Sequence, residues 1–249
     1  MQGKTKHHKG LRRLLLAGMA CCTAVLLFAL WQLFSIAQGY LAARQEYSTL
    51  QAYRPAPGGA PGQGDATFTT AAPKALVEIN ADYVGWLEIP GIGLSYPVVQ
   101  GGNNATYLHT TFSGEDNAAG AIFMDCESKG FYAPYNIVYG HNMRDGSMFG
   151  GLHQYLNADF LAENPTLTVH TASGESLQYT IFAARRATAD DEAYRLDYLR
   201  QTPASNEEFC AFAQRVGAGQ GYYGILTLST CGAAGGADRV LLHAAYTGT

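Results

Sequence analysis

The chain has 249 residues, of which 47% are hydrophobic, 12% aromatic and 14% charged, and its formal net charge is −4. This composition is too apolar for a disordered polymer, and it lacks the glycine and proline excess of a fibrous protein. Residues 1–13 carry five bases and no acid, so the rest of the chain is acidic, with a net charge of −9. An acidic body offers no clustered basic surface for phosphates, which argues against nucleic acid as a partner.

An uncharged and almost wholly apolar run follows the basic N-terminus, from Leu14 to Phe34. At about 1.5 Å rise per helical residue, this run matches a hydrocarbon core about 30 Å thick. It predicts a single-pass transmembrane anchor over 14–37 and a cytoplasmic tail over 1–13, and the positive-inside rule places the remainder outside the cell. A cleaved signal peptide is the alternative, although the run is longer than the usual apolar region of about 7–15 residues.

Residues 38–72 are predicted to be a stem and a linker. The stretch RPAPGGAPGQG at 54–64 combines prolines, which fix φ, with glycines, which free it, so neither a helix nor a sheet ladder can run through it. A globular domain is then expected over 73–249, which is long enough to bury a core of its own.

Short β-like runs punctuated by Gly, Pro, Asn and Asp dominate this domain. The eight runs are GWLEI, SYPVV, AIFMD, NIVYG, LTVHT, LQYTIFAA, GILTLST and RVLLHAAY. Helical stretches are predicted near 74–82, around 148–156 and at 204–216. Many short strands with few helices predict a mainly β fold, a closed or nearly closed β-barrel with helical insertions.

Three of the five cysteines lie outside the apolar run, so at least one exported thiol has no intramolecular partner. Cys231 ends the run GILTLSTC, and period-2 alternation places it on the same strand face as Ser229 and opposite Leu228. A thiol at a strand end beside a Gly-rich loop is accessible, which makes Cys231 the candidate nucleophile. Cys210, within a predicted helix, is expected to be structural, and Cys126 has no evident base beside it.

A thiol with a pKa of about 8.5 is a weak nucleophile unless a base or a cation is nearby. His141, in NIVYGHNM, has the same strand-end placement as Cys231 and is the preferred partner, with His243 as a second candidate. Arg239 begins the next run, and strand pairing across the short loop would bring its guanidinium beside the thiol to hold an oxyanion. No C-x-x-C or H-E-x-x-H spacing is present, so no metal and no cofactor are expected.

Taken together, YGHNM, TLSTC and the following arginine resemble the sortases, cysteine transpeptidases of Gram-positive cell surfaces, and specifically class B. INADYVGWLEIPG, IGLSYPVVQ, NNATYLHTTF, AIFMD and YGHNMRDGSMFGGL follow class B order over most of residues 76–246. The resemblance implies an eight-stranded sortase β-barrel in which His141, Cys231 and Arg239 are catalytic. It also implies four substrate-binding residues, each with a structural role as the alternative: Ser229, Asn104, Leu108 and Tyr194.

The activity that the resemblance implies is cleavage of a C-terminal sorting signal after threonine, through a thioacyl-enzyme. The acyl group would pass from the sorting-signal-bearing surface protein to an amine of a peptidoglycan precursor or a pilin. Class B members often carry an acidic residue directly after the cysteine, whereas this chain has Gly232, so a carboxylate-completed triad is not expected there. Two alternatives stay open, an exported cysteine protease that uses water and a non-catalytic surface-anchored binding module.

Overall fold

The computed structural model describes residues 3–55, 71–195, 207–217, 224–231 and 239–248. The chain divides into two compact units, Met1–Arg44 and Gln45–Thr249. Helix α1 spans Gly3–Leu50. Over the described ranges, one helical segment, Leu15–Tyr53, is long and apolar enough to cross a membrane by length and composition. The anchor at 14–37 and the other domain boundaries stay predictions, and most of the predicted linker lies outside the described residues.

Eight strands form a closed barrel, which confirms the predicted fold class. Each of the eight apolar runs lies in one strand: β1 (Tyr83–Ile89), β2 (Leu94–Val99), β3 (Ile122–Met124), β4 (Tyr135–His141), β5 (Thr166–Thr171), β6 (Ser176–Ala187), β7 (Ile225–Cys231) and β8 (Arg239–Gly248). Around the barrel the order is β1-β2-β3-β4-β7-β8-β6-β5. The pairs β2/β3 and β4/β7 are parallel, and the other six pairs are antiparallel.

The remaining described helices are short. They are α2 (Ala71–Ile79), α3 (Ala158–Glu163) and α4 (Glu207–Arg215), with 3-10 turns at Gln51–Tyr53, Pro90–Ile92, Thr106–Leu108, Gly150–Leu156 and Glu192–Tyr194. The helix predicted around 148–156 is the 3-10 segment Gly150–Leu156. The sequence analysis missed α3, whose six residues are too few for a periodic pattern. Its start is fixed by Asn157, whose side chain accepts from the amides of Asp159 and Phe160.

Strand β7 is buried on both faces, because helix α4 covers the outer one. Phe212 of α4 packs against Tyr135 and Ile225, with the Tyr135 and Phe212 ring centroids 5.6 Å apart. Leu226 and Leu228, on the opposite face, are fully buried and therefore line the barrel interior. Helix α4 therefore covers the outer face of β7 at its first residues, and the strand continues from there toward Cys231.

Glu88, a buried carboxylate of β1, predicts an acid-sensitive contribution to stability. Burial would raise the pKa of its carboxyl, but His170, with Nε2 3.8 Å away, and Arg54, whose Nε donates at 2.5 Å, lower it to about 2. Because the ordinary value is 4.5, the unfolded chain binds this proton first as the pH falls. The stabilisation by ionised Glu88 is therefore complete above about pH 4.5 and is lost between about pH 4.5 and 2.

We expect Glu88→Gln to lower the free energy of unfolding at pH 7 by roughly 1.5–3 kcal/mol, the value of a hydrogen bond to a charged group. Urea unfolding at pH 7, 5 and 3 measures this, and the variant should lose less stability on acidification than the wild type. Glu78→Gln, on the exposed face of α2, is the matched control and should follow the wild type. Parallel pH profiles for Glu88→Gln and the wild type would contradict the assignment.

Candidate active site

The three residues predicted to be catalytic lie on three neighbouring strands. Strands β4 and β7 are parallel, and their last paired residues are His141 and Cys231. The backbones of residues paired in this way are separated by about 4.8 Å, the spacing of adjacent strands. Strand β8 pairs with β7 from Ser229/Leu241 onward, and Arg239 begins β8 two residues before Leu241. The barrel therefore brings the three backbone positions to one end of its wall.

The imidazole of His141 is held by the backbone of an adjacent loop. Its Nε2 lies 2.6 Å from the carbonyl oxygen of Leu108, and the His109 ring stacks on it with centroids 6.2 Å apart. A carbonyl oxygen only accepts hydrogen bonds, so Nε2 must carry the proton. Nδ1 is therefore the nitrogen that remains to take up or release a proton. Leu108 contributes a main-chain group here, which the sequence analysis did not foresee.

Gly140, directly before His141, is required by close packing. A Cβ at this position would lie 2.5 Å from Cδ1 of Ile122 and 2.8 Å from the Phe149 ring. The Phe149 amide also donates to the His141 carbonyl at 2.9 Å, which closes the loop after β4 against the strand. The glycine of the YGH motif thus lets this loop fold back and fix the backbone of His141.

Tyr194 connects the predicted arginine with the predicted serine. Its hydroxyl lies 2.7 Å from Oγ of Ser229, and Cζ of Arg239 lies 5.3 Å from its ring centroid, within the range of a cation–π contact. The Tyr139 ring also stacks on Tyr194, with centroids 6.4 Å apart and planes at 14°. Burial raises the pKa of Tyr194, so the phenol stays neutral and the hydroxyl remains a hydrogen-bond partner. Its ring gives the guanidinium of Arg239 a fixed surface.

Asn104, predicted to bind substrate, makes two structural hydrogen bonds. Its Nδ2 donates to Oδ2 of Asp125 at 2.8 Å, and its Oδ1 accepts from the Cys126 amide at 2.8 Å. The buried Asp125 carboxylate also accepts from the Tyr139 hydroxyl at 3.0 Å, which links Asn104 to the stack on Tyr194. The sequence analysis did not single out Asp125 or Tyr139. The available signal was that Tyr139 lies two residues before the strand-end histidine, on the same face.

The second candidate base, His243, lies in the core. It pairs with Thr227, four residues before Cys231, and its Nδ1 lies 2.9 Å from Oγ1 of Thr227. Desolvation, together with the charge of Arg185, lowers the pKa of His243 to about 3. A neutral imidazole this far along the strand is not placed to activate a thiol at residue 231.

Cys126 lacks the surroundings of a reactive thiol. Burial and the neighbouring carboxylates of Asp125 and Glu127 raise the pKa of its thiol. Since the thiolate is the nucleophilic form, these neighbours disfavour reactivity at neutral pH. Cys231, in contrast, pairs with His141 across β4 and β7 and lies on the strand next to the one that Arg239 begins.

Comparison with known proteins identifies the family of the chain. Residues 87–247 match the sortase domain family. Sortase B of Listeria monocytogenes is 34% identical over 168 residues, which cover 64% of this chain and 66% of that protein. Sortase B of Staphylococcus aureus is 35% identical over 126 residues, which cover 50% of this chain and 51% of that protein. The match therefore spans less than two thirds of either relative. The chain belongs to the sortase family.

Solved structures extend the similarity to the whole barrel. A sortase B from B. anthracis superposes with a TM-score of 0.68 at 27% identity, covering 86% of this chain and 100% of that chain. A Staphylococcus aureus sortase B–substrate complex gives a TM-score of 0.67 at 25% identity, covering 83% and 96%. The resemblance to class B sortases and the sortase-type barrel are thereby confirmed.

Proposed function

We propose that this chain is a membrane-anchored cysteine transpeptidase of the sortase B type, with Cys231 as nucleophile, His141 as acid and base, and Arg239 as oxyanion partner. The observation that carries the proposal is the register of β4, β7 and β8. His141 pairs with Cys231 across β4 and β7, and Arg239 begins β8, the strand on the other side of β7, which supports a site shared by the three residues. A cysteine between a histidine and an arginine is the arrangement that acyl transfer requires.

In the first step the Cys231 thiolate attacks the carbonyl carbon of the threonine in a C-terminal sorting signal. The carbonyl oxygen becomes an oxyanion, which the guanidinium of Arg239 stabilises. When the tetrahedral intermediate collapses, the C–N bond breaks and Nδ1 of His141, as imidazolium, donates a proton to the departing amine. A thioester between Cys231 and the threonine remains.

In the second step an amine attacks the thioester. His141, now neutral, removes a proton from this amine, and the Cys231 thiolate leaves as the new amide bond forms. The acceptor amine belongs to a peptidoglycan precursor or a pilin, and the donors are surface proteins that carry the sorting signal. Asn104, Leu108 and Tyr194 line the groove that receives the donor, and Ser229, which is buried, acts there through the Tyr194 hydroxyl.

The same proposal includes the location of the enzyme. The basic tail at 1–13 stays in the cytoplasm, the anchor at 14–37 crosses the membrane once, and the catalytic domain at 73–249 lies outside the cell. Its substrates would emerge at the same surface.

An acyl-transfer assay tests the activity. The full chain in detergent micelles is incubated with a panel of Thr-containing sorting-signal peptides, with and without triglycine, and the products are identified by mass spectrometry. We expect a thioacyl adduct and an amide product that depends on triglycine. Release of the free acid alone would favour the cysteine protease, and peptide binding without cleavage would favour the binding module.

A further inference from the structure

One tyrosine outside the barrel contacts two segments of the catalytic domain. The residues Gln45–Arg54, which we call the stem segment, comprise the end of helix α1 and the 3-10 turn after it. Within it Tyr47 is buried, and its hydroxyl donates to the Gly120 carbonyl at 2.7 Å and accepts from the Phe112 amide at 3.3 Å. Its ring meets Tyr96 edge to face, with centroids 5.2 Å apart. Gly120 and Tyr96 are each the first member of a chain of contacts that ends at His141.

The first route runs through the carbonyl that holds the imidazole. Gly120 has a φ of 56°, and a Cβ there would lie 2.5 Å from the Tyr107 carbonyl oxygen and 2.8 Å from the Leu108 carbonyl oxygen. The Gly120 backbone is therefore in direct contact with these peptide groups. The Ala121 amide also donates to the Tyr107 carbonyl at 3.0 Å. Because the Leu108 carbonyl accepts from Nε2 of His141, the position of Gly120 sets the direction of the imidazole.

The second route runs through the loop after β4. The Tyr96 hydroxyl accepts from the Met148 amide at 3.3 Å. Met148 has a φ of 52°, and within the described part of the chain it is the one non-glycine residue with a positive φ. Such a backbone conformation is disfavoured and persists only where its surroundings hold it. The next amide, that of Phe149, donates to the His141 carbonyl, so this loop fixes the backbone of the histidine.

We propose that Tyr47 is a positioning residue, which orients His141 through both routes and makes the stem segment a working part of the active site. This inference rests on the proposed role of His141 in proton transfer. Tyr47 holds Gly120, which packs against the Leu108 carbonyl that accepts from Nε2–H, and its ring packs on Tyr96, which holds the loop that fixes the histidine backbone. Loosening either one lowers the fraction of enzyme whose Nδ1 points at the reacting bond, while the peptide groove is unchanged.

The test compares Tyr47→Phe with the wild type as full chains in detergent micelles. Phenylalanine keeps the ring packing against Tyr96 and removes both hydrogen bonds of the hydroxyl. We expect kcat for acyl transfer to fall about tenfold while KM for the sorting peptide stays within about twofold. A second readout is the 15N NMR signal of the His141 ring, which reports the nitrogen that carries the proton. It should move from the pure Nε2–H form toward a mixture of tautomers.

Gln51→Ala is the matched control, since it removes another stem-to-barrel hydrogen bond. Gln51 Nε2 donates to the Ser95 carbonyl at 2.7 Å, on strand β2, where Ser95 pairs with Glu88 of β1, and this bond involves neither Gly120 nor the Tyr96 hydroxyl. We expect wild-type kcat and an unchanged His141 signal. If thermal unfolding shows that Tyr47→Phe does not fold, Tyr96→Phe is the deciding variant. It removes the hydrogen bond from the Met148 amide and keeps the hydrogen bonds of the Tyr47 hydroxyl.

An unchanged kcat in the deciding variant would overturn the inference, as would an equal loss in Gln51→Ala. A failure of the proposed function is distinguishable, because it appears as absence of acyl transfer in the wild type. In that event the His141 ring signal still decides the positioning role, since it is measured without substrate. An unaltered tautomer in the deciding variant would then overturn the inference.

Discussion

Replacing Cys231 with alanine should abolish the thioacyl adduct and lower kcat for acyl transfer by about 10⁴-fold or more. The reason is chemical, since the methyl group cannot form the acyl bond that divides the reaction into two steps. His141 and Arg239 remain, but neither can replace a covalent nucleophile. The adduct is measured by intact mass spectrometry after mixing with a sorting peptide, and turnover is measured by release of the leaving peptide.

Cys126→Ala is the control that separates the proposed nucleophile from a second cysteine, whose amide is bonded to Asn104. The thiol of Cys126 has a raised pKa, whereas its backbone amide makes the bond to Asn104, so alanine keeps that contact. We expect this variant to form the adduct at the wild-type rate. An adduct that persists in Cys231→Ala, or that disappears in Cys126→Ala, would transfer the nucleophile role to Cys126.

The strands of this fold could be predicted from the sequence, whereas their order could not. Each strand combines apolar alternation with bounding turn residues, and both are local signals. The parallel pairing of β4 with β7 joins residues about 90 positions apart, and no local pattern records such a partner. Helix α3 was missed for a similar reason, because an Asn157 cap and six residues carry too little periodicity.

The same distinction applies to the site: local features could be predicted from the sequence, and contacts that depend on the tertiary structure could not. The sequence singled out His141, Cys231 and Arg239 as candidates because reactive residue types at strand ends are visible in it, and their catalytic roles stay a proposal. The carbonyl of Leu108 was not, since every residue has one and only the fold selects which of them meets an imidazole. The two hydrogen bonds of Asn104 were equally unpredictable, because Asp125 and Cys126 lie beside Asn104 only in the folded chain.

Substituting Arg239 with lysine should lower kcat about 10²- to 10³-fold, as expected when an oxyanion donor is lost. The positive charge is kept, so the loss reports geometry and not charge alone. Guanidinium is planar and presents several donors in a fixed plane, and the Tyr194 ring, 5.3 Å from Cζ, supports that plane. An ammonium group on a flexible stem has neither the fork nor the stacking surface. Steady-state kinetics with a sorting peptide and triglycine measure the change.

Arg186→Lys supplies the matched control for Arg239→Lys. Arg186 is exposed on β6, and it lies opposite Val240, next to Arg239 on the neighbouring strand. The same chemical change there should leave kcat within about twofold of the wild type, because exposed substitutions have small effects. Wild-type turnover by Arg239→Lys would mean that a diffuse positive charge suffices for the oxyanion. The contact between Arg239 and Tyr194 would then serve the packing of the groove, and the transition state would depend on the cysteine and the histidine alone.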